Sequence, residues 1–269
     1  MEEKRVIYTI GYTIFQTYQG IDTDKMFEKL SELGVGFLAD VRSIPYSKQY
    51  PQCNADVLKF SGARFGVKYI HLPELGAKAN PQQDVFSIAS DIFFDDIFPI
   101  SKSNRPDKIE LPAYKEIVDF NKFRNDEYFL EGIKRVENAY DKGFTLALMC
   151  SEKKPVDCHR YFLVSKKLEE KFGDWLSVRH ITMDEYGQII ILSNQEVDKQ
   201  LKNTILNKSE IKKLDVLVDN PMFGDPILDK YYGSTRQEQL LDFCDRYWNL
   251  MHGWSKPENA NNQTYNYYD

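Results

Sequence analysis

The sequence predicts an α/β fold: a three-layer arrangement around a mostly parallel sheet of about five strands, followed by a C-terminal helical appendage. Two observations predict it. Short β-branched and aromatic segments alternate with helical segments in the first part of the chain, and strands linked by helices pair in parallel, with helices on both faces. The 269 residues and 42% hydrophobic content suffice for a well-filled core.

Five strands are predicted from apolar segments rich in β-branched and aromatic residues. They are RVIYTIGY (5–12), GFLADVRS (36–43), VKYIHLPEL (67–75), FTLALMC (144–150) and LSVRHIT (176–182). The segment MDEYGQIIILS (183–193) adds a hairpin or an edge strand.

Helices are predicted between these strands. In DTDKMFEKLSELG, Asp22 or Thr23 is the N-cap and Gly34 ends the helix. A second helix lies in NADVLKFSGARFG, and residues 113–143 predict two more. The helix after the fourth strand is predicted from about residue 158 to 171, with Asp157 as its N-cap.

Composition divides the chain into three parts. Residues 1–194 form the α/β domain, in which the insertion 77–112 is long enough to be a lid or a binding loop. Residues 195–256 are charged and helical, which predicts a C-terminal extension. Residues 257–269 are polar and rich in Asn and Tyr, which predicts a flexible tail.

Charge and cysteine content exclude several classes of protein. A net charge of −6 argues against nucleic acid as the primary partner. The four cysteines form no C-x-x-C pair, so reduced thiols are expected. The apolar windows are too short to cross a bilayer, and the start MEEKR precedes a strand rather than a signal-peptide core, so we expect a cytoplasmic protein without membrane partners. No glycine-rich phosphate loop is found.

Ligands of open parallel sheets bind beyond the carboxyl ends of the strands. The segments TIGYT, DVRSIPYS, HLPELG and CSEKKPVDCHR follow the first four strands, so they should share one rim. The candidate catalytic residues on this rim are Cys150, Glu152, Asp40 and His159. The candidate ligand-binding residues are Arg42, Arg160, Glu74, His71, Tyr46 and Cys158.

The two arginines predict an anion site. Arg42 and Arg160 would clamp a phosphate or carboxylate, while Asp40 or Glu152 acts as general acid or base, with a raised pKa if it is catalytic. The alternative is an internal salt-bridge network around Arg42. If Arg42 binds an anion, Arg42→Ala is expected to abolish ligand binding and to change the free energy of unfolding only slightly.

The two rim thiols have two readings. Cys158, in the first turn of a helix and near Arg160, would have a stabilised thiolate, and either it or Cys150 could be a nucleophile or a redox partner. Alternatively both are small buried apolar residues, and His159 makes only a structural hydrogen bond.

Metal binding is the other alternative at this turn. Cys150, Cys158, His159 and His71 have suitable ligand types, but their spacing matches no recognised metal motif. We therefore predict no metal ligand and assign no cofactor. Convergence of at least three of these ligands would indicate a metal site.

Four ordered motifs together resemble the bacterial and archaeal family called domain of unknown function 488. They are TIGYT, DVRSIPYS with YPQCN, KYIHLPELG and LALMCSEKKPVDCHR, and the resemblance spans residues 6 to about 185. It implies a cytoplasmic α/β domain with a polar rim. The characteristic groups of the family fall on Gly11, Asp40, Arg42, Pro45, His71, Glu74, Gly76, Cys150, Glu152, Cys158, His159 and Arg160.

These observations favour a hydrolase or group transferase that acts on a small anionic or nucleotide-like ligand at the rim. The alternative is a non-catalytic ligand-binding or sensor protein that uses the same pocket. In that case the C-terminal helices would present the state of the pocket to a partner protein. For either function, we expect these helices to be where a homo-oligomer or a protein partner would form contacts.

Overall fold

A computed structural model describes residues 5–80, 82–88, 116–206 and 233–252. Within these residues the centre of the fold is a six-stranded sheet of order β10-β9-β1-β8-β4-β5. Two further pairs of short strands lie outside it, β2 with β3 and β6 with β7. The strands are β1 (Arg5–Gly11), β2 (Gln16–Thr17), β3 (Gly20–Ile21), β4 (Phe37–Asp40), β5 (Lys68–His71), β6 (Phe86–Ile88), β7 (Glu116–Val118), β8 (Leu146–Cys150), β9 (Leu176–Met183) and β10 (Ile189–Ser193).

The prediction of a mostly parallel sheet is confirmed. Strands β9, β1, β8, β4 and β5 pair in parallel, and β10 joins β9 as an antiparallel edge strand. The sixth strand arises because MDEYGQIIILS turns back on β9 through a loop in which Gly187 has a left-handed φ of 81°.

The α-helices of the described residues follow the predicted pattern with one exception, besides the later start of the helix predicted from about residue 158. They are α1 (Thr23–Glu32), α2 (Ala55–Arg64), α3 (Phe120–Phe123), α4 (Glu127–Asp141), α5 (Lys166–Phe172), α6 (Asn194–Leu206) and α7 (Arg236–His252). The exception is the predicted helical region 113–143, in which Glu116–Val118 pairs with β6 as strand β7. None of these helices combines the length and apolar character that crossing a membrane requires.

Helix α1 shows how local sequence sets an element. The Asp22 carboxylate accepts a hydrogen bond from the Lys25 amide at 3.0 Å, and Gly34, with φ 69°, follows the end of the helix. Its apolar stripe buries Met26, Phe27 and Leu30 in a cluster with side chains of β1, β4 and β8. The predicted cap and stop are therefore confirmed.

Helices cover both faces of the sheet, which gives the predicted three layers. The apolar side chains of α1 and α2 belong to one buried cluster. Helix α4 fully buries Phe129 and Ile133, and α5 fully buries Leu168, none of which belongs to that cluster.

The chain forms two compact units. The first comprises Met1–Lys78 and Glu127–Lys199, and it contains the six-stranded sheet. The second comprises Ala79–Asp126 and Gln200–Asp269, so the insertion from residue 79 onward shares a unit with the C-terminal region.

Polar contacts hold the second unit together. The Asn121 side chain donates to Asp242 at 2.7 Å, and Arg124 pairs with Asp245 at 3.0 Å. The division into 1–194, 195–256 and 257–269 stays a prediction. The tail and most of the predicted insertion lie outside the described residues.

The buried imidazole of His180, on β9, makes the stability of the protein depend on pH. Its Nδ1 lies 2.8 Å from the Thr9 hydroxyl, and its Nε2 contacts the Asn194 side-chain oxygen. Burial lowers the pKa of His180 to about 3. Because the unfolded chain takes up this proton near pH 6.5, the stability associated with neutral His180 is lost as pH falls from about 6.5 to 3.

We therefore expect the free energy of unfolding to decrease more steeply with falling pH in the wild-type protein than in His180→Gln. Between pH 7 and pH 5 the difference should be about 2 kcal/mol. Urea unfolding at several pH values measures it. Parallel pH profiles for the two proteins would contradict the assignment.

Candidate functional site

Four parallel strands end side by side, as the predicted rim requires. Gly11, the last residue of β1, is in register with Cys150, the last residue of β8. Asp40 at the end of β4 is in register with His71 at the end of β5 and with Met149 on β8. The segments that follow these strands therefore leave the sheet at the same edge.

Hydrogen bonds join the loops at this edge. The Thr13 hydroxyl, after β1, donates to the Ser151 carbonyl, after β8, at 2.6 Å. The His159 Nε2 lies 3.0 Å from the Val41 carbonyl, after β4. The turn after β8 is thus connected to both neighbouring strands.

Two thiols, an imidazole and a carboxylate converge in this turn, and we call Cys150, Glu152, Cys158 and His159 the four-residue cluster. One side-chain atom from each lies within 4.8 Å of all the others. The sulfurs of Cys150 and Cys158 donate to the same Glu152 oxygen, Oε2, at 2.8 and 2.9 Å. The His159 Nδ1 lies 3.6 Å and 3.9 Å from those two sulfurs.

Local backbone structure brings the second thiol to the first. Pro155–Asp157 forms a single 3-10 turn, and Cys158 is extended, with φ −139° and ψ 139°. Asp157 is therefore not an N-cap, and the predicted helix begins later, as a π-helix over Arg160–Ser165 that continues into α5. Because Cys158 precedes the helix, its sulfur reaches back to Glu152.

Arg160 and Gly11 fix the main chain that carries Glu152. The fully buried Arg160 donates from NH1 to the Glu152 carbonyl at 2.6 Å and from NH2 to the Lys153 carbonyl at 3.3 Å. A Cβ at Gly11 would lie 1.7 Å from the Glu152 carbonyl oxygen. Only glycine leaves room for that carbonyl.

Glu152 is ionised at neutral pH. Burial raises its pKa, but hydrogen bonds from Cys150 and Cys158 and the charge of His159 outweigh burial and lower the pKa to about 2. The raised pKa that was expected of Glu152 if it is catalytic is not found, because two thiols, rather than an apolar wall, face this carboxylate.

The thiol of Cys158 departs from expectation as well. Burial, followed by interactions with Cys150, raises its pKa well above the usual value, although the charge of Arg160 opposes the shift. The prediction of a stabilised thiolate at Cys158 is therefore wrong, because the effect of burial on the pKa outweighs that of the nearby positive charge. Burial lowers the pKa of His159, but the interactions with Cys158 and Glu152 outweigh burial. The net effect is a raised pKa.

Arg42 and Asp40 form a buried pair at the end of β4. The Arg42 Nε lies 2.8 Å from Oδ1 of Asp40, and its NH2 donates to Oδ2 at 2.5 Å and to the Cys53 carbonyl at 2.8 Å. The Tyr69 hydroxyl donates to the same carboxylate at 2.8 Å. Among the described residues, the buried NH1 of Arg42 has no hydrogen-bond partner.

Three other predicted ligand-binding residues lie outside the four-residue cluster. Glu74 pairs with Arg135 at 2.6 Å, and the His71 Nε2 lies 2.8 Å from the Arg42 carbonyl. Tyr46 is exposed. His71 thus does not join the thiols as the metal alternative assumed.

Two groups that position members of the four-residue cluster were not among the residues predicted from the sequence. The Ser151 hydroxyl donates to Glu152 Oε1 at 2.8 Å, which leaves Oε2 to the thiols. The Val41 carbonyl orients the imidazole. A serine next to a candidate acid is a usable signal for such a contact, but a main-chain carbonyl is not.

The DVRSIPYS and KYIHLPELG segments lie within a matched family model. Residues 22–96 match domain of unknown function DUF488. This match confirms the resemblance to that family over residues 22–96. The DUF488 segment contains Asp40, Arg42, His71 and Glu74, whereas the four-residue cluster lies outside it. Searches of curated proteins and of solved structures give no match.

Proposed function

We propose that the protein is a hydrolase or group transferase that acts on a small anionic or nucleotide-like molecule, with the four-residue cluster as its reaction centre. The convergence of two thiols and an imidazole on one ionised carboxylate carries this proposal. Reactive groups with shifted pKa values at the carboxyl edge of a parallel sheet are typical of active sites.

Glu152 has the role of proton acceptor in this proposal. It is the partly exposed member of the cluster, whereas Cys150, Cys158 and His159 are 2%, 1% and 5% exposed. The pKa of about 2 keeps Glu152 ionised but makes it a weak base. In this proposal the substrate therefore displaces the thiol hydrogen bonds that lower the pKa before Glu152 accepts a proton from an attacking hydroxyl or water. That proton would return to the leaving group when the bond to it breaks.

Arg42 supports an anionic substrate. A guanidinium has five N–H donors, and Asp40 and Cys53 use those on Nε and NH2. The remaining donors on NH1 are buried without a hydrogen-bond partner among the described residues. Buried donors are seldom left unpaired. A phosphate or carboxylate oxygen would satisfy them once the groups that cover NH1 move aside.

The second candidate function is a non-catalytic ligand sensor. It is favoured by the pairing of Asp40 with Arg42 and by the pKa of Glu152, which is lowered rather than raised as expected of a catalytic acid. A sensor would bind the same anions without turning them over.

Glu152→Gln separates the two candidate functions. The substitution preserves side-chain size but removes the proton acceptor, so we expect turnover to fall by about 10²–10⁴-fold with ligand affinity little changed. Purified protein would be incubated with nucleotides, sugar phosphates and phosphate esters, with products separated by chromatography. Exposed Glu170→Gln on α5 is the matched control and should retain full turnover. Binding without turnover by wild type would overturn the enzyme proposal.

A further inference from the structure

We propose that the four-residue cluster binds a thiophilic divalent cation, with Zn²⁺ as the best chemical match. Two thiolates, an imidazole and a carboxylate are the ligand types that zinc takes in a tetrahedral site. Two sulfur ligands disfavour Mg²⁺ and Ca²⁺, which prefer oxygen. The spacing C-x-E-x5-C-H matches no recognised metal motif, so it is the folded geometry that points to the site.

The distances suit a small tetrahedral ion. Zinc–ligand bonds of about 2.3 Å to sulfur and 2.1 Å to nitrogen place a sulfur and a nitrogen about 3.5 Å apart. The His159 Nδ1 lies 3.6 and 3.9 Å from the two sulfurs. The sulfur-to-carboxylate distances of 2.8 and 2.9 Å are shorter because thiol protons bridge those atoms. Loss of both protons and an outward shift of about 0.7 Å would make room for the ion.

Neighbouring groups already aim the ligand atoms at a common centre. Because a carbonyl only accepts, the Val41 oxygen requires the proton of His159 to be on Nε2, which presents Nδ1 to the sulfurs. Ser151 holds Oε1 of Glu152 and leaves Oε2 facing the sulfurs. A second hydrogen bond that orients each ligand is characteristic of metal sites.

The charges of the occupied site also balance. Two thiolates and the Glu152 carboxylate carry three negative charges, against two positive charges on the ion and one on the fully buried Arg160. Arg160 is held against the Glu152 main chain by its bond to the carbonyl. Buried charge is tolerated only when it is compensated in this way.

Glu152 is the ligand that a substrate or a water molecule would displace. It is partly exposed, whereas the other three ligands are buried. Three protein ligands and one exchangeable position are the arrangement of catalytic zinc sites, while four fixed ligands are that of structural ones. This catalytic use of the ion rests on the proposed function, but binding of the ion does not.

Cobalt titration of the full chain tests the site. Protein reduced and dialysed against a chelator would be titrated with Co²⁺, then with Zn²⁺. We expect one equivalent of Co²⁺ to produce thiolate-to-cobalt charge-transfer absorption and the visible bands of tetrahedral cobalt, both removed by Zn²⁺. Cys150→Ser and Cys158→Ser should lose these bands, whereas Cys53→Ser, a buried thiol outside the cluster, should retain them.

Two further measurements guard against variants that fail to fold. Zn²⁺ should raise the melting temperature of wild type and of Cys53→Ser. Ser151→Ala, which retains all four ligands, should weaken Co²⁺ binding about tenfold. Absence of charge-transfer bands in wild type with four titratable thiols overturns the metal site. Bands without turnover support the site and overturn the proposed enzyme.

Discussion

Arg42→Ala is expected to lower the free energy of unfolding by about 3–5 kcal/mol. Asp40 is fully buried. Without the Arg42 side chain, the donors left to its carboxylate among the described residues would be the Tyr69 hydroxyl and the main-chain amide of residue 42. An unpaired buried charge is strongly destabilising. This replaces the sequence-based expectation that the change would cost little stability. Urea unfolding at neutral pH measures the effect.

A surface pair provides the matched control. Arg64 forms a similar two-pronged contact with Asp24, at 3.1 and 2.9 Å, but the side chains are 51% and 48% exposed. Arg64→Ala should therefore cost less than about 1 kcal/mol. Adding Asp40→Asn to Arg42→Ala should restore part of the lost stability because it removes the buried charge. Equal effects of the two arginine substitutions would contradict the interpretation.

Gly11→Ala is expected to destroy the four-residue cluster and to cost about 3 kcal/mol or more. The new Cβ would lie 1.7 Å from the Glu152 carbonyl oxygen and 3.0 Å from Arg160 NH1. Because the first obstacle is main chain, no side-chain rotation relieves it. The turn would have to move, so the cobalt bands and any turnover should be lost together.

Gly36→Ala is the corresponding control. Its Cβ would meet no heavy atom closer than the Thr145 carbonyl oxygen at 3.9 Å, which is ordinary contact. We expect this variant to retain cobalt binding and near-native stability. Retention of the cobalt bands by Gly11→Ala would show that the turn after β8 is not held as the structure indicates.

The sequence was sufficient to predict the sheet and the edge at which the candidate site lies. The alternation of strands and helices predicts parallel pairing, and parallel pairing places the residues after each strand at one edge. Cys150 ends the apolar segment FTLALMC, so its place at that edge followed directly. The same reasoning placed Asp40 and Arg42 there.

The pairings within the edge could not be predicted, because they depend on side-chain contacts. The sequence allows two partners for Arg42, an anionic ligand or Asp40. The packing at the end of β4 determines that Arg42 pairs with Asp40. The low pKa of Glu152 depends on two sulfurs that approach the same oxygen. Their approach requires an extended Cys158, whereas periodicity predicted a helix there.

The π-helix over Arg160–Ser165 determines the direction in which Cys158 and His159 point relative to the axis of α5. A π-helix is defined by hydrogen bonds that span five residues rather than the four of an α-helix, and here the Ser165 hydroxyl also donates to the Arg160 carbonyl at 2.8 Å. Each residue advances an α-helix by about 100°. A chain one residue shorter within this stretch would wind regularly and swing Cys158 and His159 by about that angle, away from Glu152.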